Sequence, residues 1–130
     1  MAKLGRGGII FLGSLTGNGG MANVATYGGS KAFTQIFGEA LWTELKPHGI
    51  DVLVLIVGAA DTPARRRSGF GNPMAVNQCD EVAQWGLDNL ANGPVYVLPL
   101  IADMFKQMCS LPRREVVEWV GSKVPVPHRQ

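Results

Sequence analysis

Val52-Leu53-Val54-Leu55-Ile56-Val57 is an unbroken apolar run. A strand with one face in water alternates apolar and polar side chains, so a run without alternation is expected where both faces are covered, as in a parallel sheet. Upstream, Ile9-Ile10-Phe11-Leu12 is bracketed by Gly7-Gly8 and Gly13 and reads as a second buried strand. Downstream, Val95-Tyr96-Val97-Leu98 reads as a short third one. Between the first two strands, Phe33, Ile36, Phe37, Ala40, Leu41 and Leu45 recur at helical spacing and predict an amphipathic helix. That helix should stop near Lys46-Pro47-His48-Gly49, where proline breaks the hydrogen-bond ladder and glycine takes the left-handed cap cheaply. Residues 62–78 carry prolines, glycines and Arg65-Arg66-Arg67 without usable periodicity, which predicts a long loop or broken helix over a site. Residues 80–92 predict a helix with Val82, Gly86, Leu87, Leu90 and Ala91 inward, closed by Asn92-Gly93-Pro94. Beyond the third strand, Ile101, Met104, Phe105, Met108 and Cys109 space a further helix, Pro112 breaks it, and residues 113–120 start another.

Strand alternating with helix three times over is the order of an α/β protein with a parallel sheet. Three strands make a small sheet. A doubly wound dinucleotide-binding fold usually needs about six, so the order suggests half of a Rossmann-like fold. The expected organisation is one partial domain over residues 1–130, of which 99–130 form a helical C-terminal extension. No G-x-G-x-x-G lies between a first strand and a first helix.

Composition narrows the function classes. The chain has 130 residues, 46% of them hydrophobic, which excludes a disordered chain. A charged fraction of 17% and a net charge of +2, spread along the chain, give no footprint for nucleic acid. The apolar run 52–60 is about half of the roughly 20 residues a membrane span needs, and Met1-Ala2-Lys3-Leu4 has no secretory character, so neither a membrane span nor export is expected. Cys79 and Cys109 have neither metal-ligand spacing nor a dense disulfide pattern, which favours a reduced, cytoplasmic chain. His48 and His128 have no second ligand at metal spacing, so no metal site is expected and both read as surface residues. The arginine triplet reads as part of a solvated loop, and Trp42, Trp85, Trp119 and the methionines as packing residues.

The chemistry lies in the first third. Tyr27 and Lys31 stand four residues apart at a helix start, where i and i+4 share a face. Ser14 ends the preceding strand, and the carboxyl ends of parallel strands are where open α/β sheets bind ligands. Gly28 and Gly29 each cost roughly 1 kcal/mol in helix propensity relative to alanine, which suggests close packing at this turn. Ser14, then Tyr27-x-x-x-Lys31 with Ser30-Lys31-Ala32, then a long amphipathic helix, resembles the short-chain dehydrogenase/reductase family. Val57-Gly58-Ala59-Ala60-Asp61-Thr62 resembles that family's Pro-Gly turn with its threonine, and Gly93-Pro94-Val95-Tyr96-Val97 its last strand. The resemblance runs in order over residues 8–98 and implies that the chain is the C-terminal half of the family's Rossmann-like fold.

The resemblance implies an oxidoreductase that moves hydride between NAD or NADP and a small-molecule carbonyl or alcohol substrate. It gives Tyr27 the role of acid/base, for which a neighbouring ammonium is useful because it favours the phenolate. Ser14 would donate a hydrogen bond to the same substrate oxygen. Lys31 would also hold the nicotinamide ribose, and Gly58 with Thr62 would meet the carboxamide. Ser30 is taken as structural. The chain departs from the pattern at Val57, where the family commonly has proline. The elements that hold adenine, ribose and pyrophosphate, and the asparagine that supports the catalytic lysine, have no counterpart here. Two functions therefore stand: the catalytic half of such an oxidoreductase, or a non-catalytic truncated fragment that self-associates, with the isolated chain expected to be inactive. A homo-oligomer is expected, because in the family the helix over residues 32–45 commonly joins a dimer interface. The choice between NAD and NADP, the substrate and the reaction direction are not written in these residues.

Overall fold

The computed structural model describes residues 1–67 and 76–123. Three strands, β1 (Gly7–Ser14), β2 (Ile50–Val57) and β3 (Val95–Val97), form one sheet in the order β1-β2-β3. Both pairings are parallel, with Gly7 opposite Ile50, Ser14 opposite Val57, and Val54 opposite Val95. β2 is central, and all its side chains but that of Asp51 are buried, which is why its sequence shows no alternation.

Two helices cover the two faces. α1 (Ala25–Leu45) lies on the face that carries Phe11 and Val54, and α3 (Cys79–Asp88) on the face that carries Ile10 and Leu55. Strand pleating makes these faces distinct, because successive side chains point opposite ways. Glycines set both contacts: a Cβ on Gly38 would stand 2.4 Å from Val54 Cγ2, and one on Gly86 3.2 Å from Leu55 Cδ2. α1 ends at Leu45, a 3-10 turn over Lys46–His48 accommodates Pro47, and Gly49 takes φ 67° with its N–H on the Lys46 carbonyl. α3 opens with Glu81 accepting from the Gln78 N–H at 3.0 Å, and Asp80 and Glu81 put negative charge at its positive end. Between β2 and α3, α2 (Pro63–Arg67) is one short helix inside the stretch expected to be irregular; residues 68–75 of that stretch lie outside the described residues, as does His128.

α4 (Ala102–Ser110) and α5 (Arg113–Lys123) follow β3 and build a second small core from Met108, Val116 and Val120, packed against Leu15, Met21 and Trp119. Gly19 sits under this core, where a Cβ would meet Met108 and Val116 at 2.9 Å. The C-terminal helices thus clamp the loop that leaves β1. Among the described residues, no helix is long and apolar enough to cross a membrane.

Side-chain direction is set on α1 and corrects two expectations, on α3 and at Trp85. Phe33, Ile36 and Phe37, the bulk of the apolar stripe of α1, are 67%, 65% and 43% exposed. The inward stripe is Gly28, Lys31, Gln35, Gly38, Trp42 and Leu45, whose spacing is equally helical but whose small and polar members carry little hydrophobic signal. In α3 only Val82 and Gly86 are buried; Leu87 is 63% exposed, and the helix gives way to a 3-10 turn at Leu90–Asn92 that leaves Ala91 in solvent. Trp85, 40% exposed, stacks on Tyr96 at 6.0 Å and so packs on one face only.

Candidate active site

Parallel strands send their carboxyl ends to one side, and there the ends of β1 and β2 meet the start of α1 and the flank of α3. Between them is a cleft of about 390 Å³. Tyr27, Lys31, Gly58 and Thr62, far apart in sequence, all line it. Its remaining walls are largely apolar, from Ile10, Leu12, Leu55 and Val57 on the sheet to Val82, Ala83 and Gly86 on α3.

Tyr27 lies in the first turn of α1 with its ring half in solvent. Lys31, one turn on, holds its Nζ 5.7 Å from the centre of that ring and donates to the Leu12 carbonyl of β1 at 2.8 Å. An ammonium has three donors, so two remain for a ligand. Ser30 turns away and its hydroxyl donates to the Tyr27 carbonyl at 2.7 Å. Gly28 is buried because the loop after β1 passes over it: a Cβ there would meet the Thr16 carbonyl oxygen at 3.2 Å. Gly29 has open space above it, so the close packing expected of both glycines applies to one.

Ser14 ends β1, and its Oγ accepts from the Thr16 hydroxyl at 3.0 Å and the Thr16 N–H at 3.4 Å. It caps the 3-10 turn Leu15–Gly17 and is not among the residues lining the cleft. The hydroxyl keeps its own proton to donate, since both of these bonds use its lone pairs.

On the far wall, Thr62 caps α2, its Oγ1 accepting from the Arg65 N–H at 3.1 Å. Asp61 beside it makes a two-pronged pair with Arg66, Nε to Oδ1 at 2.8 Å and Nη2 to Oδ2 at 2.5 Å. Arg66 holds the Asp61 carboxyl below its ordinary range, and the carboxylate raises Arg66 in return. Backbone bonds between residues 59–61 and Asn77, with the Cys79 thiol donating to the Asp61 carbonyl at 3.3 Å, close the base of this segment. Sequence reasoning missed Leu12, Asp61, Arg66 and Cys79. A threonine followed by proline is a helix-start signal and could have located the cap at Thr62, but the ion pair depends on where the helix starts.

Similarity to known proteins follows the same residues. A profile of the family described as short chain dehydrogenase matches residues 1–71. A very-long-chain 3-oxoacyl-CoA reductase from Podospora anserina is 41% identical over 71 residues, 52% of this chain and 21% of that protein. A protein of the same name from Meyerozyma guilliermondii is 43% identical over 77 residues, 56% of this chain and 23% of that one. The matched segment therefore spans about a fifth of the length of these curated relatives. Among solved structures, a short-chain dehydrogenase from Sphingobium yanoikuyae in complex with NADPH superposes with a TM-score of 0.63 at 26% identity, covering 86% of this chain and 48% of that one. A 7beta-hydroxysteroid dehydrogenase, 24% identical with a TM-score of 0.77 over 91% of this chain and 47% of its own, shares the fold.

Proposed function

The chain belongs to the short chain dehydrogenase family, and from that premise we propose that it carries the catalytic half of an NAD(P)-dependent oxidoreductase acting on a carbonyl or alcohol. The observation that carries the reading is the convergence of Tyr27, Lys31, Gly58 and Thr62 on one cleft. Its volume of about 390 Å³ lies within the range of small-molecule sites, and its few polar groups stand in apolar walls, as such sites require.

The residues suit the nicotinamide end of the cofactor: Lys31 has two donors to spare for a ribose, and Thr62 with the Gly58 turn faces the same space. When bound, the cofactor supplies or accepts the hydride. Tyr27 gives its phenolic proton to the carbonyl oxygen in reduction, or takes it from the alcohol in oxidation. Lys31 holds positive charge beside that phenol. Ser14 donates to the same substrate oxygen with the proton that its bonds to Thr16 leave free.

Titration of the chain with NADH and NADPH by fluorescence, followed by assay with a 3-oxoacyl thioester, tests the reading. The relatives' names make that substrate the first to try. Micromolar binding supports the reading, with turnover expected of a longer protein that contains this chain and not of the isolated chain. A chain that is folded by circular dichroism and binds neither cofactor would sink it and leave the second reading, a non-catalytic chain that self-associates.

Self-association has its own support. Phe33 and Phe37 stack at 5.3 Å and, with Ile36, form an exposed apolar stripe on α1. We propose that a second copy covers it. Sedimentation is expected to give an oligomer that Phe33→Glu with Phe37→Glu converts to monomer; a parent chain monomeric at every concentration would refute the interface. Free thiols at Cys79 and Cys109 support a reducing, cytoplasmic setting for the same reading.

A further inference from the structure

We propose that the Asp61–Arg66 ion pair is a positioning element of the cleft: it closes a ring around Thr62 that fixes the threonine hydroxyl as a donor to an acceptor oxygen bound there. The inference rests on the cofactor reading above and goes beyond it by assigning a role to Asp61 and Arg66, to which that reading gives none.

The ring is built from three sets of bonds. Arg66 N–H donates to the Thr62 carbonyl at 3.0 Å, and Arg65 N–H to the Thr62 Oγ1 at 3.1 Å. The Arg66 guanidinium returns to the Asp61 carboxylate through two parallel bonds, the geometry that fixes direction as well as distance. Asp61 is itself anchored, its N–H on the Asn77 carbonyl at 3.0 Å and its carbonyl accepting from Cys79 Sγ. An anchored residue on one side and the first helical turn on the other thus hold Thr62.

The orientation of the hydroxyl follows. With a lone pair of Oγ1 taken by the Arg65 N–H, the threonine proton cannot point towards α2, because two donors would face each other. The hydroxyl is left free to donate into the cleft that Thr62 lines. Thr62 is therefore a donor that recognises an acceptor such as a carboxamide carbonyl. The pair is exposed on its arginine side, so its contribution is small and screened by salt, and the expected effect is correspondingly modest.

The test is NADPH affinity of the full chain, read by fluorescence. Asp61→Asn is expected to weaken binding by about threefold to fivefold, the range an ion pair of up to about 1 kcal/mol allows. The reversed pair, Asp61→Arg with Arg66→Asp, should restore it. In a Thr62→Val background Asp61→Asn should do nothing further, since the group it positions is gone. A merely structural role would lower stability equally in both backgrounds and would not be sensitive to Thr62. Unchanged affinity in Asp61→Asn, or an equal loss with and without the Thr62 hydroxyl, overturns this inference alone. A parent chain that binds no NADPH overturns the cofactor reading and this inference with it.

Discussion

Tyr27→Phe is expected to lower turnover by about a hundredfold to ten-thousandfold, the contribution of a positioned general acid or base, with cofactor affinity within about twofold of the parent. The substitution removes one oxygen and leaves the ring. That ring is half exposed at the mouth of the cleft, with Lys31 Nζ 5.7 Å from its centre, and the contact between them survives in phenylalanine. Lys31 keeps its bond to the Leu12 carbonyl as well, so the ammonium stays where it is. Only proton transfer is lost. In whichever form turns over, this chain or a longer protein that contains it, steady-state kinetics should give a fall in kcat with little change in the binding constant. Retained turnover would remove Tyr27 from the acid/base role; lost cofactor binding would mean that the phenol holds the cofactor.

How much of this was legible in advance differs from element to element, for physical reasons. β2 declared itself because a strand buried on both faces has no room for polar side chains. The Lys46–Gly49 stop was equally plain, since proline and glycine act locally through their own backbones. Tyr27 and Lys31 were readable as a pair because helical spacing alone decides that they share a face. Their meeting with Gly58 and Thr62 is a property of the sheet, and came from the resemblance and not from spacing. Ser14 illustrates the limit of a motif: its place at the end of β1 is as expected, while its engagement with Thr16 depends on a turn that the motif does not describe.

The helix α1 is the most instructive case. Periodicity weighs bulk, and the bulky stripe of α1 points to solvent. What faces the sheet is chosen for closeness instead: Gly38 brings the helix axis near β1 and β2, Gly28 lets the loop after β1 pass over the helix start, and Lys31 on the same stripe reaches the cleft from there. The two demands are linked. A helix held further from the sheet by larger side chains would carry Tyr27 and Lys31 away from the strand ends.

Gly38→Ala tests that closeness, and its sign is a contest between two effects. In a helix interior alanine is favoured over glycine by about 1 kcal/mol, which by itself predicts stabilisation. Against it, the new methyl would stand 2.4 Å from Val54 Cγ2 and 3.2 Å from Phe11 Cδ2, well inside contact distance. Val54 is fully buried on the central strand and has little freedom to move. Overpacking of a tight core costs about 1–3 kcal/mol, and the separation here argues for the upper part of that range. A net loss of about 1–2 kcal/mol is expected in urea unfolding. Gly29→Ala supplies the control on the same helix: nothing lies within 4 Å of the added Cβ, so only the propensity gain operates and a small stabilisation should appear. If both substitutions stabilise the chain, α1 does not lie as close to β2 as this packing requires, and the distance that brings Lys31 to the Leu12 carbonyl falls with it.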